Sequence, residues 1–247
     1  MKNILLLLSL FSVAISALAT EGSARRINST YNVGQIYVGG HIGMGVPLAI
    51  GRKDSQIAFN DVAKTGFVVY ADAMRLMTQN ISLGADFGFR NYPYNDKKTW
   101  SNLTRYGTFE ASYRALDLDV TGRLFFTTNS VRPFFGVFGG AELIMNDVDF
   151  IPSASYAESI SATQYSTTNI SPMFGFMAGV YMKVGKRTLL SLQGRLSFVP
   201  TLDDGIIEIT NPRNQEVQTM YQNVHGNQTN LAITLGIHVG TNKNNKH

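Results

Sequence analysis

The stretch Ile81-Ser82-Leu83-Gly84-Ala85-Asp86-Phe87-Gly88-Phe89-Arg90 alternates without a break between two kinds of residue. Every odd position is apolar, and every even position is a serine, a glycine or a charged residue. Successive side chains of a β-strand point to opposite faces. This period of two therefore predicts a strand with one apolar face and one face of small and charged residues.

The same alternation recurs along the rest of the chain. Ile36–Val46 and Leu231–Val239 are clear examples. The other segments are 66–77, 116–124, 135–143, 174–183 and 190–198. Together with 81–90 these segments predict eight strands.

The face opposite the apolar one distinguishes a soluble barrel from a membrane barrel. In a soluble sandwich or a lipocalin-like barrel this face meets water, where glycine weakens a strand without benefit. Inside a narrow membrane barrel, small residues instead leave room for long charged ones. Strands in lipid must also close on themselves, because an open edge leaves backbone groups unpaired. We therefore expect an all-β fold, an eight-stranded antiparallel up-and-down transmembrane β-barrel.

Composition agrees with this expectation and excludes several other classes. The chain has 247 residues, of which 44% are hydrophobic and only 15% are charged, and its mean hydropathy is −0.02. The aromatic and β-branched residues are too numerous for a disordered chain. The lack of cysteine excludes disulfides, cysteine-ligated metals and cysteine nucleophiles. The formal net charge of +4 is too small to indicate nucleic-acid binding.

The N-terminal residues are typical of an export signal. Met1-Lys2-Asn3 precedes the apolar stretch Ile4–Ile15, and Ala17-Leu18-Ala19 provides a signal peptidase site. No cysteine follows that site, so a lipoprotein anchor is not expected. The predicted segments are a signal peptide 1–19, a periplasmic segment 20–33, the outer-membrane barrel 34–240 and a polar periplasmic tail 241–247.

Connections between the predicted strands alternate in length, as in outer-membrane barrels with short periplasmic turns and longer external loops. The short ones are 78–80, 127–132 and 185–187, and the long ones are 48–64, 91–107, 146–168 and 200–227. Aromatic residues near strand ends predict interfacial girdles. They are Phe87, Phe89, Tyr92, Tyr94, Phe125, Phe126, Phe134, Phe135, Phe174 and Phe198.

Several short motifs resemble the small outer-membrane β-barrel proteins of the OmpA and OmpX type. They are Tyr37-Val38-Gly39-Gly40, Gly84-x-x-x-Gly88, Gly175-x-x-x-Gly179 and Pro133-Phe134-Phe135-Gly136-Val137. The resemblance extends over 35–240 and implies the fold and an outer-membrane location. Two features differ from that family. The last predicted strand ends at Val239-Gly240 rather than on an aromatic residue. A peptidoglycan-binding domain is not expected after it.

Inward charges form the main candidate site. Arg90, Asp117, Glu142 and Arg195 are expected at one level of the lumen, as a cluster of paired charges that plugs the barrel. The alternative is a gate, in which exchanged pairings open a narrow water path. Further inward charges are Asp72, Asp86, Asp119, Arg123 and Lys183.

No catalytic, cofactor-binding or metal-binding residue is predicted. The histidines His41, His225, His238 and His247 look too few and too separated for a metal site, and we expect no cofactor. His41 and His238 are expected to face inward on strands that are neighbours after closure, as lumen filling. A serine nucleophile needs a base within hydrogen-bond reach, and neither histidine has a serine on its own strand face. Asp147-x-Asp149 and Asp203-Asp204-Gly205 are interpreted as solvated turns rather than calcium loops.

These observations predict a protein of the Gram-negative outer membrane with a structural or surface-interaction role. That role is adhesin-like or concerns membrane integrity, and four external loops would carry it. A narrow porin-like channel or small-solute conduit is the alternative, and a lipid-modifying enzyme is a third possibility. The expected partners are outer-membrane lipids, lipopolysaccharide, the barrel assembly machinery and a host or environmental surface ligand. We expect a monomer that does not bind nucleic acid.

Overall fold

A computed structural model describes residues 31, 33–48, 63–93, 107–155, 163–202, 208–210, 217–219 and 226–241. Its strands are β1 (Ile36–Leu48), β2 (Gly66–Leu76), β3 (Ile81–Pro93), β4 (Gly107–Phe125), β5 (Val131–Pro152), β6 (Thr163–Lys183), β7 (Thr188–Leu202), β8 (Glu208–Thr210), β9 (Val217–Thr219) and β10 (Gly226–Gly240). The predicted signal peptide 1–19 lies outside the described residues. So do most of 20–33 and all of the tail beyond residue 241.

Eight of these strands form one closed barrel in the order β1-β10-β7-β6-β5-β4-β3-β2. Every neighbouring pair is antiparallel, and β1 closes the barrel against β10, with Tyr37 opposite Gly240 and Leu48 opposite Thr229. The predicted fold class is therefore confirmed. Among the described residues there is no helix that is long and apolar enough to cross a membrane.

The two ends of the barrel differ in their connections. The short connections 77–80, 126–130 and 184–187 lie at one end, together with the start of β1 and the end of β10. We call this the turn end, and the opposite end the loop end. The connection from β7 to β10 starts and ends at the loop end. Within this connection, β8 and β9 form a separate two-stranded sheet. The sequence predicted an unbroken loop over 200–227, so this hairpin is a correction.

Side chains alternate between the outside and the lumen as the period of two predicted. On β1 the apolar side chain of Ile42 is exposed, whereas the neighbouring His41 is buried. On β4 Leu118 and Val120 are exposed, whereas Asp117 and Asp119 between and beside them are buried. The apolar face therefore points outward and the charged face points inward.

Three strands extend furthest beyond the segments that the alternation indicated. β4 begins at Gly107, β5 continues to Pro152 and β6 begins at Thr163, although 91–107 and 146–168 were predicted as loops. In the extensions of β4 and β5 the alternation continues with its faces exchanged. Glu110, Arg114 and Asp147 lie on the outer face, whereas Ile144 and Phe150 are buried inside the barrel. Backbone pairing continues as far as Gly107 opposite Pro152. A search for strands with an apolar outer face misses the part of a strand in which the apolar residues face inward.

The predicted aromatic girdles are partly wrong. Tyr92, Phe125 and Phe134 are buried in the lumen, while Tyr94 lies outside the described residues. Among the outward aromatic residues, Phe174 packs against Phe198 with ring centroids 5.7 Å apart. Inward and outward positions at a strand end differ by one residue, so proximity to the end does not decide the face.

Candidate functional site

The lumen contains three groups of charged side chains. The upper cluster, nearest the loop end, consists of Arg90, Asp117 and Glu142 with Tyr113. The central cluster consists of Asp86, Asp119, Arg123 and Arg195. The seam cluster consists of His41, Asp72 and His238 with Ser191, and lies where β1 meets β10 near the turn end. All of these side chains are buried.

In the upper cluster one arginine bridges two carboxylates. Nη2 of Arg90 donates to Oδ1 of Asp117 at 2.7 Å and to Oε2 of Glu142 at 2.6 Å. The hydroxyl of Tyr113 lies 2.8 Å from Oε1 of Glu142 and 2.5 Å from Oε1 of Gln228. These contacts connect β3, β4, β5 and β10 across the lumen. A buried charge pair is tolerated where further hydrogen bonds satisfy its charged groups, and here both oxygens of Glu142 have a partner.

In the central cluster two arginines share a carboxylate. Arg195 lies 2.7 Å from Oδ2 of Asp86 and also contacts Asp119. Arg123 lies 3.1 Å from Oδ1 of Asp86. The guanidinium carbon of Arg195 stands 3.7 Å from the centre of the Phe138 ring, in a cation–π contact. The cluster thus fills the middle of the barrel with paired charge and an aromatic ring.

In the seam cluster two histidines converge on one carboxylate. Nε2 of His238 lies 2.8 Å, and Nε2 of His41 lies 3.4 Å, from Oδ1 of Asp72. On its other side, Nδ1 of His41 lies 3.4 Å from Oγ of Ser191. Arg123 approaches Oδ2 of Asp72 at 3.6 Å, which links this cluster to the central one.

Below these clusters an aromatic and cationic group closes the turn end. We call it the turn-end cap; it consists of Tyr31, Phe125, Arg132, Phe134 and Tyr181. The guanidinium of Arg132 lies 4.3 Å from the ring centres of both Tyr31 and Phe125. The Tyr31 hydroxyl donates to the Ser130 carbonyl at 3.4 Å. Burial raises the pKa of Tyr31, while Arg132 opposes this shift, so the phenol remains a neutral hydrogen-bond donor.

The structure divides the four residues predicted to form one cluster. Arg90, Asp117 and Glu142 are in contact, whereas Arg195 pairs with Asp86 and Asp119 nearer the turn end. Counting residues from the turns ignores the tilt of the strands, which shifts levels between neighbours. The remaining predicted inward charges are buried at Asp72, Asp86, Asp119 and Arg123. Lys183 lies at the turn end, with Nζ 5.2 Å from the centre of the Tyr31 ring.

Sequence reasoning missed the seam cluster. His41 and His238 were expected to face inward on neighbouring strands, and both are buried inside the barrel. They were also expected to be too separated for a metal site, but their ring centroids are 4.8 Å apart. A serine was sought on the same strand face as each histidine, whereas Ser191 comes from a different strand, β7. When a barrel closes, the first strand lies between the second and the last. This rule could have placed Asp72 of the second strand near the two histidines. The register that places these residues side by side is a tertiary property.

Comparison with solved structures assigns the architecture. The chain is similar to the outer membrane protein OprG from Pseudomonas aeruginosa, with 10% identity and a TM-score of 0.50 over 86% of this chain and 98% of that one. The fold is that of the small outer-membrane β-barrel proteins. No protein-family model matches the sequence, and no curated protein matches it either.

Two further similar structures belong to proteins with different activities. The attachment invasion locus protein Ail of Yersinia pestis, in complex with the heparin analogue sucrose octasulfate, is 8% identical with a TM-score of 0.46, over 85% of this chain and 100% of that one. The outer membrane protease OmpT from Escherichia coli is 9% identical with a TM-score of 0.46, over 84% and 97%. At such identities the likeness concerns the fold alone, and function must be argued from this chain's own residues.

His41 lies between Ser191 and Asp72. A hydrolase triad has the same three residue types. In that arrangement the serine faces Nε2 of the histidine and the carboxylate faces Nδ1. Here Ser191 lies beside Nδ1 and Asp72 beside Nε2, which is the reverse connection. Ser191 is also buried inside the barrel. This arrangement therefore suits Ser191 as a residue that orients the His41 ring inside the barrel. It does not suit Ser191 as a nucleophile toward a lipid outside the barrel.

Proposed function

We propose that this protein is a Gram-negative outer-membrane barrel with a structural and surface-interaction role. In this proposal residues 1–19 are cleaved on export, 20–33 and 241–247 lie in the periplasm, and the turn end faces the periplasm. The loop end then faces the exterior, where an adhesin-like or membrane-integrity role is carried by four loops and the sheet below them. The barrel acts as a monomer without enzymatic activity.

The height of the outward apolar band is the observation that carries this proposal. On β4, and at Phe126 directly after it, the outward side chains from Leu116 onward are apolar or glycine, and Val120 near their middle is 68% exposed. At about 3.3 Å per residue and a strand tilt of about 40°, this span covers roughly 25 Å along the barrel axis. That value matches the apolar band of outer-membrane barrels.

Beyond this band the barrel wall becomes polar on its outer face. Arg114 on β4 and Asp147 on β5 form an ion pair there, with side chains 45% and 29% exposed. Glu110 is also exposed, and Asp149 is half-buried on β5. Charged side chains do not face hydrocarbon without a large cost. The upper parts of β4 and β5 therefore suit a sheet that projects from the lipid and presents a polar surface.

The filled lumen favours a surface role over transport. Arg90, Arg123 and Arg195 are each at most 2% exposed, and their clusters occupy successive levels between the loop end and the turn-end cap. Eight strands leave an interior just wide enough for side chains to fill. We therefore expect the purified barrel to be closed in a planar bilayer. A stable current through the wild-type protein would favour the narrow channel instead.

Protease accessibility tests the proposed orientation. One variant receives a specific protease site in the connection 153–162, and a matched variant receives the same site in the turn 126–130. We expect the protease to cleave the first variant in intact cells and the second only after lysis. Cleavage of the turn variant in intact cells, or of neither variant while both barrels show a heat-dependent gel shift, would contradict the orientation.

Cell binding tests the proposed role. Labelled cells that express the protein should bind at least one immobilised host or environmental surface molecule more strongly than cells without the gene. They should also resist detergent better if the barrel supports membrane integrity. An unchanged result in both assays would contradict the proposal. Altered lipid A in expressing cells, detected by mass spectrometry, would favour a lipid-modifying enzyme. Copurifying lipopolysaccharide and dependence on the barrel assembly machinery are the expected partner results.

A further inference from the structure

The seam cluster has no part in the proposed surface role, and its donor atoms form a ligand set. His41 on β1, Asp72 on β2 and His238 on β10 each offer one donor atom, and these atoms lie within 4.8 Å of one another. Two imidazole nitrogens and one carboxylate oxygen are ligands that zinc and other divalent first-row metals take in proteins. We propose that the seam cluster binds a divalent transition-metal ion, zinc in particular.

Within the described part of the chain, these three ligand atoms have no hydrogen-bond partner. Both Nε2 atoms approach the same oxygen, Oδ1 of Asp72, at 2.8 Å from His238 and 3.4 Å from His41. Neither contact has the alignment of a hydrogen bond, and Oδ1 and the two nitrogens have no other hydrogen-bond partner there. Buried polar atoms normally have a partner. Three that converge without one indicate a ligand shared between them.

The distances suit an ion with small adjustments. A tetrahedral zinc ion about 2.0–2.1 Å from each ligand separates the ligand atoms by roughly 3.3 Å. The two separations that involve Asp72 lie on either side of that value. The two imidazole nitrogens, at most 4.8 Å apart, would have to approach by at most about 1.5 Å. Three protein ligands also leave a fourth position for water.

Outer contacts orient two of the three ligands, His41 and Asp72. Nδ1 of His41 faces Oγ of Ser191 at 3.4 Å, which leaves Nε2 for the ion. Oδ2 of Asp72 faces Nη2 of Arg123 at 3.6 Å, which leaves Oδ1 for the ion. Metal-binding imidazoles and carboxylates are typically oriented by partners of this kind.

Two glycines make room for the imidazole rings. In the strand register Gly39 lies between Asp72 on one side and His238 on the other. A Cβ atom at Gly39 would overlap the ring of His238, and one at Gly236 would overlap the ring of His41. The cluster therefore depends on backbone positions without side chains directly beside both rings.

The charge balance of the lumen is consistent with a bound cation. The three clusters contain five carboxylates and three arginines among the described residues, which leaves a net charge of −2 when all are ionised. Arg132, a further buried arginine, lies apart in the turn-end cap, where the Thr127 carbonyl accepts from its Nε at 2.9 Å. Buried charge is costly unless it is compensated. A divalent ion bound by two neutral imidazoles would supply the missing charge, as would protons on the histidines or carboxyls.

An ion at this position would join the first and last strands where the barrel closes. His41 and His238 belong to the first and last barrel strands, and Asp72 belongs to the strand on the far side of β1. A ligand that binds only the folded chain increases the ratio of folded to unfolded protein by the factor 1 + [L]/Kd. At free zinc about 100 times Kd, that ratio should rise about 100-fold.

The experiment uses the untagged mature chain, refolded in detergent and stripped of metal with a chelator. Zinc content after dialysis is measured by elemental analysis, and affinity is measured by calorimetric titration with Zn²⁺. The test variants are His238→Gln and Asp72→Asn. The matched controls are His225→Gln, at a histidine outside the described residues, and Asp147→Asn, in the exposed ion pair. A heat-dependent gel shift establishes that each variant has folded.

We expect one zinc ion per chain in the wild type and both controls, with at least 10-fold weaker binding in both test variants. The folded test variants should also lose the zinc-dependent rise in resistance to urea. Substoichiometric zinc in the wild type would overturn the proposal, as would equal binding by folded His238→Gln. Should the test variants fail to fold, Co²⁺ added to the wild type decides. The visible absorption of imidazole-bound tetrahedral cobalt supports the site, and an unchanged aqueous spectrum overturns it.

Discussion

Replacement of Arg195 by methionine should strongly destabilise the barrel. Methionine has a side chain of similar length but no charge. The substitution removes the cation that contacts Asp119 and lies 2.7 Å from Oδ2 of Asp86. It also removes the cation–π contact with Phe138 at 3.7 Å. The volume changes little, so the loss of charge and hydrogen bonds dominates the effect.

The magnitude follows from what remains in the central cluster. Breaking a buried ion pair by removing one partner costs about 3–5 kcal/mol, because the other charge stays buried without compensation. Arg123 still lies 3.1 Å from Asp86 after the change, whereas Asp119 loses the guanidinium that it contacts. We therefore expect a loss in the lower part of that range, about 3–4 kcal/mol. This corresponds to roughly a 10²- to 10³-fold lower ratio of folded to unfolded protein.

Equilibrium urea unfolding in lipid vesicles measures this loss, with circular dichroism and the heat-dependent gel shift as two signals. Arg114→Met is the matched control, because Arg114 forms the exposed pair with Asp147 and such pairs contribute about 0–1 kcal/mol. The double variant Arg195→Met/Asp119→Asn should recover part of the stability. Equal losses for Arg195→Met and Arg114→Met would refute the reasoning that the lumen charges are structurally paired.

Three further predictions address the outer face, the cap and the upper cluster. Val120→Arg, near the middle of the apolar band, should cost about 2–4 kcal/mol in vesicle unfolding, and Thr108→Arg beyond the band should cost almost nothing; equal effects would contradict the band. Tyr31→Ala removes the cation–π contact with Arg132 and should lower the free energy of unfolding by about 1–2 kcal/mol. It should also speed proteolysis near the N-terminus. Unchanged proteolysis would contradict the turn-end cap. Glu142→Ala should leave planar-bilayer conductance at the wild-type level, whereas a new current would favour a gate.

The local pattern of the chain was enough to predict the strands and their faces. In the segment from Ile81 to Arg90, the exposure of Leu83 and Phe87 and the burial of Asp86 and Arg90 follow directly from the period of two. Local alternation did not reveal the full length of β5, which continues to Pro152. It also did not reveal the hairpin of β8 and β9, whose strands have three residues each. In β5 the polar and apolar faces are exchanged toward Pro152, and a three-residue strand is too short to carry a periodic signal.

The partners of the inward charges could not be derived from the same pattern. Arg195 was expected beside Glu142, but it pairs with Asp86 and Asp119, because tilt and stagger displace each strand relative to the next. Phe125 and Phe134 were expected at the lipid interface but pack in the turn-end cap, with ring centroids 5.9 Å apart. A shift of one residue changes the face of a side chain, and a shift of two changes its level.

The sequence alone determined that this chain forms eight amphipathic strands with an apolar outer face, because that information lies in the order of neighbouring residues. Only the tertiary structure decided which inward side chains meet. His41 and His238 are 197 positions apart in the chain, and their rings contact each other and Asp72 because β10 pairs with β1 in one particular register. Closure of the barrel, rather than any local motif, creates the seam cluster.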